Sequence, residues 1–148
     1  MLRNRGRGQA SETEAVIASE KTIEEERRCR GGELTMKKIN HKDIEGTSPS
    51  GTKNIDFKQL IAKNMEAPHF YMRLIDISPD GHTERHAHEW EHEVFVVEGR
   101  GKVALKDREE DIVQGDAVFV EPNELHQFVN SSTSLLRVIC VIPRPIED

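Results

Sequence analysis

The sequence predicts an all-β protein, an antiparallel barrel or sandwich behind an N-terminal extension. Three observations carry that expectation. From about residue 54 onward, short runs of β-type residues recur at roughly ten-residue spacing. Each run stops at a turn signal built on Gly, Pro, Asp or Asn. No helical period of any length interrupts the series.

The elements come in order along the chain. Phe70 to Ile77 is the first clear run, closed by Ser78-Pro79-Asp80-Gly81, which reads as a turn. Glu93 to Glu98 is closed by Gly99-Arg100-Gly101, and Lys102 to Lys106 by Asp107 to Glu110. Asp111 to Gln114 precedes a Gly115-Asp116 turn, and Ala117 to Val120, His126 to Asn130 and Leu135 to Ile142 complete the set. Within these runs Phe70, Met72, Phe119 and Phe128 are expected to line the interior. Cys140, inside Val138 to Ile142, reads as a small buried hydrophobe.

The first 35 residues differ from the rest. They hold seven basic and seven acidic residues, so the whole formal charge of −6 belongs to residues 36–148. With no aromatic residue they cannot build a core. They are expected to form a flexible tail, or a short helix over Ala15 to Arg30 supported by Glu24 four positions before Arg28. Met36 also reads well as a natural start, and Arg30 to Glu33 can be encoded by a purine-rich run of the ribosome-site kind. On that reading residues 1–35 are not native and residues 36–148 are the domain.

Composition excludes several function classes. No apolar run approaches the ~18–20 residues of a membrane-spanning helix, and the N-terminus lacks the apolar stretch of a signal peptide. An acidic balance, pI 5.7, argues against a nucleic-acid surface, and no basic helix-turn-helix segment is present. Two distant cysteines, Cys29 and Cys140, do not make a disulfide scaffold, so a reducing cytoplasm is the expected compartment.

Seven histidines remain to be explained, four of them between residues 82 and 92. His86 and His88 stand two apart, which on an extended chain sends both imidazoles to one face. Such a pair is half of a transition-metal site. His92 and Glu93 are both candidates for a further donor four or five residues on, and His126 is a donor far along the chain, at the head of a β run. Three ligands from one segment and one from another would close the site.

The segment Gly81 to Gly99 resembles the first motif of the cupins: a glycine, His-x-His, a ligand at the glutamate position and, after six intervening residues, a glycine. Gly115 to Asn130 resembles the second, with its Gly115, Pro122, His126 and trailing Asn130. Together they resemble the small single-domain type-2 cupins, which implies an RmlC-like jelly-roll barrel with a divalent metal inside. Two departures stand out. With six residues intervening before Gly99, the ligand position falls on His92, not a glutamate, and strand parity puts Glu93 on the opposite face from His92. The second motif lacks its usual glycine after Pro122. The resemblance therefore implies a four-histidine metal site of His86, His88, His92 and His126.

Four neutral imidazoles leave a divalent ion its full charge, so the site should favour anionic oxygen ligands. If the metal is six-coordinate, two neighbouring positions stay open for a bidentate oxygen ligand. Mn, Fe or Ni is favoured by octahedral preference, with Zn, Co or Cu compatible with imidazole donors. Because the ligands must be neutral, affinity is expected to fall between about pH 7 and pH 5. Glu89, Glu91, Glu121 and Glu124 lie near the motifs as acid–base candidates or as solvated turn residues. Trp90 should pack over the barrel end, His82 should stand behind the site, and His41 and His69 outside it. The expected function is a metal-dependent dioxygenase, decarboxylase or isomerase acting on a small oxygen-rich acid or phenol; the alternative is a module that binds metal or small molecules without turnover. No catalytic residue is singled out. Partners are expected to be a small-molecule ligand and a second copy of the chain, in a homodimer that pairs residues Ile55 to Ile61 across subunits.

Overall fold

Alternation of inward apolar and outward polar side chains bends one antiparallel sheet around its own apolar face. The structure is a computed structural model and describes residues 36–145; the leader expected over residues 1–35 lies outside them. Eight strands make up the sheet: β1 (Lys53–Ile61), β2 (Phe70–His82), β3 (His92–Glu98), β4 (Arg100–Ala104), β5 (Glu109–Val113), β6 (Ala117–Val120), β7 (Gln127–Val129) and β8 (Leu136–Pro143). Their order is β5-β4-β7-β2-β8-β3-β6, with β1 added beside β2, and every pairing is antiparallel. The only helical turns among the described residues are short 3-10 pieces at His41–Asp43 and Lys63–Met65. No helix among those residues is long and apolar enough to cross a membrane.

The core is a row-by-row match across strands. Phe57 pairs with Ile75, Ile75 with Val138 and Val138 with Val96. One row further on, Arg73 pairs with Cys140 and Cys140 with Val94. Ile77, Val96, Leu136 and Val138 are fully buried at its centre. Loss of any of them to alanine would leave a cavity costing about 2–5 kcal/mol.

Two sequence expectations are revised. Ser78-Pro79-Asp80-Gly81 does not end its strand; β2 runs through to His82. The pairing with β1 slips there instead, with Lys53 opposite His82 and Ile55 opposite Ile77. Asp80 is left-handed at φ 59°, and a Cβ on Gly81 would lie 2.7 Å from the Ser78 carbonyl, so turn chemistry builds a bulge inside a strand. Second, Phe70 and Phe119 point outward, each 60% exposed, and Met72 is only half-buried and outside the core; of the four only Phe128 lies in it. The cause is phase: Tyr71 is the inward residue at the start of β2, and Phe119 sits opposite outward Glu93 while Val120 sits opposite buried His92. Residues Ile55 to Ile61 pair along β2 of their own chain.

Two motif residues close the loops around this frame. Gly99 turns between β3 and β4 at φ 83°, where a Cβ would run into the Leu135 carbonyl. Buried Asn130 donates from Nδ2 to the Ile77 and Ser134 carbonyls, both at 2.7 Å, and accepts at Oδ1 from Ser132.

Candidate metal centre

The segment between β2 and β3 carries His86 and His88, and it is stitched to the segment entering β7. His86 N–H donates to the His126 carbonyl at 3.2 Å, and His126 N–H returns the bond to His86 at 3.0 Å. Thr83 N–H donates to Phe128 O at 2.9 Å and Asn123 N–H to His88 O at 2.7 Å. His92 opens β3 with its side chain inward, 5% exposed, and His126 is equally buried just before β7.

The four rings converge. One nitrogen from each of His86, His88, His92 and His126 lies within 4.8 Å of the others. Ring centroids are 4.5 Å apart for His88 and His92, 4.8 Å for His92 and His126, and 4.9 Å for His86 and His126. Glu93 points to the other face, as parity requires, and takes no part.

Hydrogen bonds at the backs of the rings decide which nitrogen faces inward. His88 Nδ1–H donates to Trp90 O at 3.0 Å and His126 Nδ1–H to Glu124 O at 2.8 Å. Each leaves an Nε2 lone pair facing the cluster, the arrangement that ligating histidines need. His88 Nε2 and His92 Nε2 stand 2.6 Å apart, closer than the usual N–H···N spacing. His86 Nδ1 is buried and makes no hydrogen bond; the Glu84 carboxylate stands 3.4 Å from it. Neutral nitrogen donors gathered this tightly suit a divalent transition ion.

Electrostatics favour the neutral form of His86, His88 and His92. Burial, reinforced by the Arg73 guanidinium and the neighbouring imidazoles, pushes the His92 pKa down to about 2. Burial first, then His126 and His88, lowers that of His86. Burial also lowers that of His88, against the raising effect of its bond to Trp90.

Behind His92 lie two residues whose part at the site the sequence did not disclose. Its Nδ1 is 3.0 Å from Cys140 Sγ and 3.1 Å from Arg73 Nη2, and Arg73 Nη2 donates to Cys140 Sγ at 2.9 Å. With Nε2 free to ligate, Nδ1 carries the proton, and since Arg73 offers only donors the acceptor is the Cys140 sulfur. Cys140 is buried as expected, and burial raises its thiol pKa. The signal for Arg73 was a charge on the same strand parity as Tyr71, Ile75 and Ile77.

The remaining expectations sort simply. Trp90 stacks on the His88 ring, centroids 4.3 Å apart and planes 9° from parallel, and packs against the core. His82 Nδ1 lies 3.0 Å from the Thr83 carbonyl and 3.1 Å from Gln127 Nε2, and His82 touches none of the four rings; His41 and His69 are also outside the cluster. Glu89 and Glu121 are exposed, Glu91 and Glu124 partly so. A cavity of about 220 Å³ opens beside the cluster, walled by Phe57, Ile75, Phe128 and Val138, with Arg73, Glu84, His86, His92 and His126 also on its lining. A larger cleft of about 610 Å³, between β5 and β6, is lined by none of the histidines.

Residues 73–142 match the family model for the cupin domain. The polyketide cyclase RemF from Streptomyces resistomycificus is 32% identical, over 75% of this chain and 81% of that one, with a TM-score of 0.70. The chain belongs to the cupin family. The same cupin fold is shared with a predicted oxalate decarboxylase from Thermotoga maritima, at 22% identity over 72% of this chain and 98% of that one, TM-score 0.63. It is shared too with a sugar phosphate isomerase from Silicibacter pomeroyi, at 21% identity over 74% and 76% of the two chains, TM-score 0.64. At these identities the last two speak for the fold alone. No curated protein matches this cupin.

Proposed function

We propose that this cupin is a divalent-metal-dependent enzyme acting on a small oxygen-rich carbonyl compound, with His86, His88, His92 and His126 as the metal ligands. The observation that carries the reading is the convergence of four imidazoles on one point beside an apolar cavity. A divalent ion held by uncharged donors supplies undiminished Lewis acidity to a carbonyl oxygen. Mn, Fe or Ni would fit the four imidazole donors and would activate substrate oxygens as a Lewis acid.

Among the reaction classes open to the sequence, likeness to a polyketide cyclase favours proton removal next to a carbonyl, leading to isomerisation or ring closure. The chain supplies the remaining parts. Phe57, Ile75, Phe128 and Val138 exclude water from the reacting carbon. His88 and His126 are held in orientation by backbone carbonyls. Among the described residues Glu84 is the one carboxylate on the cavity wall, and its Oε atoms are the place for a proton taken from substrate. The outer face of β3 and β6 exposes Phe95 and Phe119, which supports the expected homodimer by sheet packing.

The test is metal analysis of untagged protein, followed by incubation with a linear aryl 1,3-diketone and mass spectrometry. One ion per chain and a cyclised, dehydrated or isomerised product, both lost in His88→Ala, support the reading. Stoichiometric metal with no turnover of any carbonyl substrate assigns the chain to non-catalytic binding.

A further inference from the structure

Arg73 is a cation on the inner face of the sheet. Its strand neighbours on that face are Tyr71, Ile75 and Ile77, all buried and apolar in body, and across the sheet it faces Cys140 and then Val94. A guanidinium in such a place is costly unless it is paired. Arg137 on β8 shows what pairing looks like here: it grips Asp76 with two bonds, Nε to Oδ1 and Nη2 to Oδ2, both 2.6 Å.

Arg73 has no such partner among the described residues. One nitrogen, Nη2, makes its hydrogen bond, donating to Cys140 Sγ, and the same nitrogen stands 3.1 Å from the protonated His92 Nδ1. Neither is an anion in the neutral pocket. The guanidinium lies 5.7 Å from the centre of the Phe57 ring, and Nε is buried with no hydrogen bond at all. An arginine fork is shaped for two parallel bonds to a carboxylate. This one is left half-used on the wall of the cavity that adjoins the four histidines.

We propose that Arg73 anchors the carboxylate of the substrate, so that the ligand is an apolar, flat-bodied acid whose other oxygens face the histidine cluster. The inference rests on the reading that this cavity receives substrate. Phe57, Ile75, Phe128 and Val138 fit the body, and Arg73 selects the acid over its uncharged analogues. It is a specificity-determining residue.

Benzoate and its uncharged isostere benzamide are the probes, titrated calorimetrically into the full-length protein both metal-free and zinc-loaded. Benzoate should bind at least tenfold more tightly than benzamide in both forms, and Arg73→Gln should shrink that ratio to within twofold while zinc stoichiometry and benzamide affinity hold. A ratio unchanged by Arg73→Gln overturns the proposal even when zinc binds one per chain, leaving the metal reading intact. A ratio that depends on Arg73 in the metal-free protein, with zinc failing to bind the histidines, upholds the anchor and removes the metal reading. Loss of zinc along with both probes in Arg73→Gln overturns the proposal in favour of a purely supporting role behind His92. Should the variant not fold, the wild type decides by NMR: the Arg73 Nε–H resonance should shift to saturation with benzoate and stay in place with benzamide. A resonance unmoved by bound benzoate overturns the anchor.

Discussion

His86 and His126 hold each other through the backbone, each donating its N–H to the other's carbonyl in an isolated antiparallel bridge. The two cupin motifs are therefore joined at the residues that present the imidazoles. The ring geometry, 4.9 Å and near-perpendicular, is imposed by main-chain bonds that do not involve the rings.

A side-chain change at His126 should separate binding from folding. His126→Gln keeps the bridge and removes the imidazole, so metal content should fall below a tenth of the wild-type value while the β-type circular dichroism persists. Metal content by plasma mass spectrometry and a spectrum of the same sample check this together. Full retention of metal would remove His126 from the ligand set.

Cys140 should matter to metal binding without touching metal. Its sulfur is the acceptor for His92 Nδ1–H in the ligating tautomer. Cys140→Val removes that acceptor at nearly constant volume and should weaken metal affinity about 10- to 100-fold, the usual effect of deleting a ligand's hydrogen-bond partner. Cys140→Ser should recover part of the loss. Competition against a chromophoric chelator gives both values.

The pH window for metal loss should lie lower than free histidine suggests. Three of the proposed ligands, His86, His88 and His92, have lowered pKa values, His92 to about 2, so protons compete weakly for them while the chain stays folded. The native state then binds fewer protons than the unfolded one below about pH 6.5, and stability falls as pH falls. His92 alone accounts for about 2 kcal/mol between pH 7 and pH 5 in the metal-free protein. Denaturant melts at the two pH values, repeated with His92→Gln, should show the difference and then its reduction. Near-constant metal affinity from pH 7 to pH 6 in the folded protein is the companion expectation.

Association should depend on the outer face of β3 and β6. Phe95 and Phe119 are both exposed there on adjacent strands. Phe119→Lys should turn a dimer into a monomer in light scattering at micromolar concentration, with metal content unchanged. A wild-type protein that is already monomeric would remove the dimer.

Much of the site was legible because strand parity is strict. His92 rather than Glu93 follows from a period of two once β3 is placed, and the spacing to Gly99 places it. The same rule failed where phase was ambiguous. In Phe70 to Ile77 both faces read as apolar, Phe70, Met72 and Leu74 on one and Tyr71, Ile75 and Ile77 on the other, so nothing local told which was inside. The misplacement of Phe70 and the missed role of Arg73 are one error seen from two sides. Pro79 and Gly81 signalled a local backbone conformation correctly, but whether that conformation ends a strand or bulges it depends on β1, a partner far away in sequence.

Trp90 gives the protein a built-in optical gauge. It is the chain's single tryptophan, and its indole lies flat against the His88 ring. Any event that moves or polarises that imidazole alters the surroundings of the only strong emitter in the molecule. Occupancy at the four histidines can be followed in real time by intrinsic fluorescence, with no label attached and no background from a second indole.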